Sequence, residues 1–348
     1  MKVLVTGSAG FIGTAVAARL REGGAEVVGV DVMLPQAHGP GPAPEGTQVL
    51  DVRDATEWDG VLCGVDVVCH QAAMVGAGVR VADLPDYASH NDLATAALLA
   101  AMHREGVHRL VLASSMVVYG EGRYTCPDHG DVAPGARATA DLDEGRFDNP
   151  CPVCRRPLEW GLVDEDARLD PRSGYAASKV AQEHYATAWV RHAGARAVAL
   201  RYHNVYGPGM PRDTPYSGVA AMFRSSLERG EPPRVFEDGR QVRDFVHVDD
   251  VARANVLAVE ALASAPPDPT LRAYNVCSGS PVTIGQVAAL VAQGTGSGLE
   301  PVVTGEYRPG DVRHVVASPA RAEDELGFRA AVAPGDGLPA FASAPLRG

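Results

Sequence analysis

Lysine is nearly missing from this chain: of its 31 basic residues only Lys2 and Lys179 are lysines, and the rest are arginine. Arginine is a fixed planar cation, whereas lysine is a compact charge that titrates readily in a site, so a retained lysine directs attention to its neighbours. Positive charge is also outweighed, 31 residues against 43 acidic ones, for a net of -12. That balance excludes a broad surface for nucleic acid or anionic membrane, which needs clustered Lys and Arg. Any anionic ligand must be met locally. No apolar run approaches the ~20 residues that span a bilayer. The opening M-K-V-L-V-T-G leads directly into a strand pattern, so a cytoplasmic location is expected. Six cysteines in 348 residues are too few for a disulfide scaffold, yet Cys126, Cys151 and Cys154 lie in one short region. Repeats of solenoid period are missing too.

Against those absences stands an apolar content of 46%, enough for one large core or a core with a lobe grafted onto it. Residues 3–5, a glycine turn, a helical pattern over 11–20 and a second apolar run at 27–30 read as strand, helix, strand. The alternation continues through 48–50, 65–69, a long helix over 91–102 and a strand at 109–113. The pattern predicts an α/β fold, a Rossmann-type doubly wound parallel sheet. Residues 121–166 carry Gly, Pro, Asp and Arg with little periodicity, too long for an ordinary loop, and read as an insertion. Periodicity resumes in a helix over 175–191 and a strand over 195–200. The expected organisation is a dinucleotide-binding domain of residues 1–202 containing that insertion and rejoined by 243–262. A smaller α/β lobe of 203–242 and 263–348 completes it.

Gly7, Gly10 and Gly13 form G-S-A-G-F-I-G between strand and helix. Their missing side chains permit a tight turn, close approach of a pyrophosphate and close helix packing, with Phe11 and Ile12 opening the helix whose N-terminus faces the phosphates. Asp31 ends the second strand about 20 residues on, where its carboxylate can accept from both adenosine ribose hydroxyls and would repel a 2′-phosphate. NAD is therefore expected over NADP. Asp51 and Val52, just after the third strand, are expected near the adenine.

Tyr175 and Lys179 stand four apart in Y-A-A-S-K, on one face of a helix. Such pairs are common on helices. This one follows a nucleotide-binding array, uses one of two lysines, and has Ser115 before it at a strand's C-terminal end. The lysine charge and the nearby oxidised nicotinamide are expected to draw the tyrosine from its usual pKa near 10 towards a usable base.

Cys126-Pro-Asp-His129 and Cys151-Pro-Val-Cys154 place two ligand pairs on either side of a polar loop. That arrangement suits a tetrahedral structural Zn, which would also order a segment poor in apolar residues. Four protein ligands leave no open position, so a catalytic metal is not expected.

With these motifs stand H-Q-A-A at 70–73, S-S-M-V-V-Y-G from Ser114, R-Y-H-N-V-Y-G-P-G from Arg201, V-R-D-F-V-H-V-D-D from Val242 and R-P-G-D from Arg308. Over nearly its whole length the chain resembles an extended short-chain dehydrogenase/reductase of the NAD-dependent sugar epimerase/dehydratase family. The resemblance implies Tyr175 as catalytic acid/base, Lys179 on the nicotinamide ribose and Ser115 on the reacting hydroxyl. It adds Ala72, Ala73 and Asn91 to the cofactor site. It implies that Asn204, Arg243, Arg308 and Asp311 grip a nucleotide-diphosphate sugar, with stretches 210–216 and 234–236 reading the base and hexose, and that the enzyme is a homodimer.

Dehydratases of this family carry an Asp-Glu pair after the active-site hydroxyl residue. Here Met116 and Val117 stand there, and neither moves a proton. The expectation is a nucleotide-sugar 4-epimerase that regenerates NAD each cycle. A nucleotide-ketosugar reductase and, from another class, a non-catalytic dinucleotide sensor are the alternatives. The cysteine-bearing insertion resembles that of dTDP-L-rhamnose 4-epimerases, which points to a dTDP-6-deoxyhexose, although UDP-glucose, UDP-galactose or UDP-glucuronate fit the same catalytic residues.

Overall fold

The apolar run after Lys2 becomes an interior strand, Lys2–Thr6, of a seven-stranded sheet. A computed structural model of the protein describes residues 1–39, 41–78, 80–212, 218–264 and 269–347. Across the sheet the order is Leu271–Val276, Arg196–Tyr202, Arg109–Ser115, Val67–His70, Lys2–Thr6, Glu26–Asp31, Thr47–Val49, and every pairing is parallel. Parallel strands are covered on both faces, which is why these segments read as nearly continuous apolar runs. Val3, Val5, Val67, Val111 and Val198 face one core, shared with helices Phe11–Glu22 and Val248–Ser264. Leu4, Val68, Leu110, Leu112 and Ala197 face the other, under helices Ala94–Arg104 and Gly174–Ala193.

The strand order reverses beside Lys2–Thr6, which pairs Val3 with both Val27 and Val67. At such a point neighbouring connections leave in opposite directions and open a crevice at the strand ends. The glycine turn follows the C-terminal end of Lys2–Thr6, and Asp31 and Ser115 are the last residues of their own strands.

Helix Val248–Ser264 packs in the first core. The strand Leu271–Val276, placed by the sequence reading in the later lobe, is instead the edge of the central sheet; Ala273 to Val276 are buried, and Ala322 and Phe328 pack beneath it. Helices Val248–Ser264 and Ile284–Thr295 flank it, so the pattern along the chain marks a strand there but does not say which sheet it joins. The lobe has its own core around Tyr206, Phe223, Phe245, Val287, Leu338 and Phe341. Residues of the insertion form a three-stranded antiparallel sheet, Gly130–Val132, Arg123–Cys126 and Glu159–Gly161, over a small core of Tyr124, Cys126, Cys151 and Leu158. Among the described residues no helix is long and apolar enough to cross a membrane.

Candidate active site

The glycine turn is as close as the motif requires. Gly7 has φ +67°, and a Cβ there would lie 2.6 Å from the Ala72 nitrogen. At Gly13 a Cβ would lie 1.9 Å from the Gly7 carbonyl oxygen. Neither neighbour can move, since both are backbone. The helix Phe11–Glu22 begins without a side-chain cap or an acidic residue in its first turn, which leaves its positive end for an anion. Asp31, 5% exposed, accepts from the Ala9 N–H at 3.1 Å and the Met33 N–H at 2.9 Å, and His38 Nε2 lies 3.2 Å from it. These donors orient the carboxylate at the rim of the crevice. A backbone cradle for a diphosphate beside an oriented carboxylate for a ribose fits NAD.

Other expected cofactor residues are distributed less simply. The Asp51 carboxylate caps Arg53 N–H at 2.9 Å and grips the Arg53 side chain, so Arg53 lowers its pKa against the opposing effect of burial. Val52 is buried. Asn91 is fully buried with its amide committed: it accepts from Met74 N–H at 2.7 Å and donates to the Met74 carbonyl and to Ser178 Oγ. It clamps the segment after Ala72 and Ala73 to the helix carrying Tyr175.

That helix, Gly174–Ala193, starts with Ser173 accepting from the Ala176 N–H. Lys179, 3% exposed, donates to the Ala113 carbonyl at 2.9 Å, and its Nζ sits 5.9 Å from the Tyr175 ring centre. Ser115 is the last residue of its strand, and its hydroxyl is placed to hydrogen-bond Tyr175. The expected lowering of Tyr175 by lysine is not found in the protein alone. Burial pushes the phenol up to about 12, with Ser115 pulling the other way. Burial also brings Lys179 down to about 7, against Glu183 and Asp92. A low-dielectric pocket disfavours either charge by itself, so the tyrosine is a proton holder until a positive partner arrives.

Asn204 donates to the Asp244 carbonyl at 2.9 Å and contacts the Met116 sulfur at 3.6 Å, which puts it beside the catalytic strand end. Arg243 is aimed by three carbonyls, those of Val242, Arg313 and Val312. Arg308 lies over the Phe236 ring at 5.1 Å, and both arginines act on the Asp311 carboxylate, whose pKa burial raises. Arg243, Arg308 and Asp311 are thus together. Of the stretch 210–216, residues 213–216 lie outside the described residues.

The Cys126, His129, Cys151 and Cys154 ligand atoms lie within 4.8 Å of one another. Cys126 Sγ is 3.7 Å from Cys154 Sγ and 3.3 Å from His129 Nδ1, and Cys151 Sγ is 3.6 Å from His129 Nδ1. Tetrahedral zinc with bonds of ~2.3 Å to sulfur and ~2.0–2.1 Å to nitrogen sets edges of roughly 3.5–3.8 Å. The cluster matches that size. His70, a further candidate by residue type, is elsewhere, bonded to Thr6 and Thr95.

Several residues escaped the sequence reading. Gly78, at φ +65°, brings its backbone against Tyr175, where a Cβ would meet the tyrosine nitrogen at 2.5 Å. Tyr87 packs its ring 6.0 Å from that of Tyr175. Arg137 of the insertion is buried and donates to Glu237 and to the Asp311 carbonyl, each at 2.7 Å. Only the glycine left a local signal.

The chain matches the NAD dependent epimerase/dehydratase family over residues 3–139 and 159–277; the break falls on the part of the insertion carrying Cys151 and Cys154. It is 34% identical over 343 residues to dTDP-L-rhamnose 4-epimerase of Burkholderia thailandensis, covering 94% of this chain and 90% of that protein. The structure of Thermus thermophilus UDP-glucose 4-epimerase in complex with NAD superposes with a TM-score of 0.75 at 31% identity, covering 98% of each chain. MoeE5 in complex with UDP-glucuronic acid and NAD superposes at 0.74 with 32% identity, covering 97% and 96%. The chain belongs to the NAD dependent epimerase/dehydratase family. It is an NAD-dependent nucleotide-sugar epimerase.

Proposed function

We propose that this epimerase inverts C4 of a dTDP-6-deoxyhexose of the rhamnose type. The observation that carries the reaction is an intact Ser115, Tyr175 and Lys179 set beside Met116 and Val117, which cannot supply the proton transfers of dehydration. The buried glutamates carry bonds of their own: Glu121 to Asn149 and the Arg313 N–H, Glu165 to the Asn275 N–H, and Glu183 to Ser114 and Arg201. The narrower substrate is supported by the likeness to the Burkholderia enzyme.

In this reading Tyr175 takes the C4 hydroxyl proton and later returns it, while Ser115 holds that hydroxyl in line. Lys179 holds the nicotinamide ribose. Bound NAD supplies the hydride acceptor and, once reduced, the donor. Asp31 and the glycine turn hold the adenosine end, with Val52, Ala72 and Ala73 lining it. Asn204, Arg243, Arg308 and Asp311 hold the nucleotide diphosphate by charge and forked hydrogen bonds, leaving the hexose free to present either face. Cys126, His129, Cys151 and Cys154 hold a structural zinc. A cytoplasmic homodimer completes the proposal. The helical stretches 91–104 and 176–192 would pair across its interface; they carry Leu93 and Tyr185, 56% and 46% exposed.

The test is incubation with a panel of dTDP- and UDP-hexoses, following C4 configuration by NMR and the cofactor's redox state. Inversion of a dTDP-6-deoxyhexose without net NADH, abolished by Tyr175→Phe, is expected. Preference for a UDP-hexose or UDP-glucuronate overturns the substrate, and loss of water or stoichiometric NADH overturns the reaction.

A further inference from the structure

The glycine turn has no basic residue of its own between Gly7 and Thr14, although the ligand it cradles is a diphosphate. A cation reaches it from the far end of the described chain. Arg347 donates to the Ala9 carbonyl, and its other terminal nitrogen lies 3.4 Å from Thr14 Oγ1. Ala9 is the residue whose N–H binds Asp31, and Asp31 is near enough to act on the Arg347 charge.

The backbone around this arginine is held by the later lobe. Gly209 N–H donates to the Pro345 carbonyl at 2.7 Å, Arg212 N–H to the Arg347 carbonyl at 3.0 Å, and Arg347 N–H to the Met210 carbonyl at 3.0 Å. The anchor is the segment that continues R-Y-H-N-V-Y-G-P-G, so Arg347 is carried on one lobe and set against the turn of the other. Its contacts with the turn use one hydrogen on each terminal nitrogen, and a guanidinium has five.

We propose that Arg347 is the cation of the glycine turn and binds the diphosphate of NAD beside the N-terminus of the Phe11–Glu22 helix. The diphosphate then meets main-chain N–H groups on one side and a forked, charged donor on the other. Because the arginine hangs from the substrate lobe, the cofactor ties the two lobes together, which suits an enzyme that reuses one NAD through every cycle.

Equilibrium dialysis of wild type, Arg347→Ala and Arg347→Lys with NAD, ADP, adenosine and NADP tests this. Arg347→Ala should raise the Kd of NAD and ADP about tenfold or more, since the lost contact is charge-assisted. It should leave adenosine within about twofold, and the deficit should shrink at high salt as screening weakens the wild type. Arg347→Lys should recover part of the loss. An equal loss for adenosine and ADP would mark a mere prop for the turn, and unchanged NAD binding or a loss confined to NADP would likewise overturn the proposal.

Discussion

Lys179 Nζ donates to the Ala113 carbonyl at 2.9 Å, fastening the helix of Tyr175 to the strand that ends in Ser115. The bond keeps a buried lysine whose pKa burial lowers to about 7 from an ordinary 10.5. Between those values the unfolded chain retains a proton that the folded chain has released, so stability of the cofactor-free protein rises with pH from about 7 towards 10. Below about 7 both states are protonated and the gain is absent. Urea midpoints should therefore increase from pH 6.5 to pH 9 in wild type relative to Lys179→Met. Parallel shifts in both proteins contradict the assignment.

Tyr175→Phe removes one oxygen from a site otherwise held by Gly78, Tyr87 and Asn91. Turnover should fall by roughly 10²–10⁴, with NAD content and melting temperature close to wild type. Rates measured alongside bound NAD decide the matter, because a variant that loses activity together with cofactor would implicate structure instead.

The insertion should carry about one zinc per chain by elemental analysis. Chelation or Cys151→Ser should expose the region around residues 130–158 to limited proteolysis, since metal binding supplies the ordering energy that so small a core cannot. The central sheet should survive. A metal-free protein with an equally resistant insertion speaks against the site.

Arg137 connects that insertion to the loop that carries Asp311. Its side chain and that of Glu237 are 3% and 2% exposed, and Arg313 also binds Glu237 at 2.7 Å. Arg137→Ala removes one of two cations from a buried carboxylate and should cost about 3 kcal/mol in urea unfolding. KM for the nucleotide sugar should rise more than kcat falls, because the Asp311 carbonyl loses its donor. A change in kcat alone would place Arg137 nearer the chemistry.

At the cofactor end, Gly13→Ala has nowhere to put its methyl and should lose most NAD binding. Asp31→Asn keeps the shape but removes the charge, so NAD affinity should drop roughly tenfold while NADP affinity rises. Titration with both cofactors checks this, and an unchanged ratio would remove Asp31 from the discrimination.

Much of this was legible in the residues because its signals are local. The glycines of the turn, Tyr175 with Lys179, and the residues within each ligand pair stand a few positions apart, while Asp31 is read from its place ending the next strand, about 20 residues on. Spacing does not report burial, however, and in the protein without cofactor desolvation holds the Tyr175 phenol above its ordinary value. The clamp that Asn91 makes between Met74 and Ser178, 17 and 87 residues away, left no local signal.

By itself, then, the sequence determined which short segments become strands and helices, where glycine is obligatory, and which side chains carry acid, base, thiolate or charge, because periodicity and covalent spacing act over a few residues. Only the tertiary structure decided that Leu271–Val276 joins the central sheet, that Arg137 braces Asp311 and that Arg347 reaches Ala9. Those contacts close loops of up to hundreds of residues. They are settled by packing of whole surfaces rather than by any pattern along the chain.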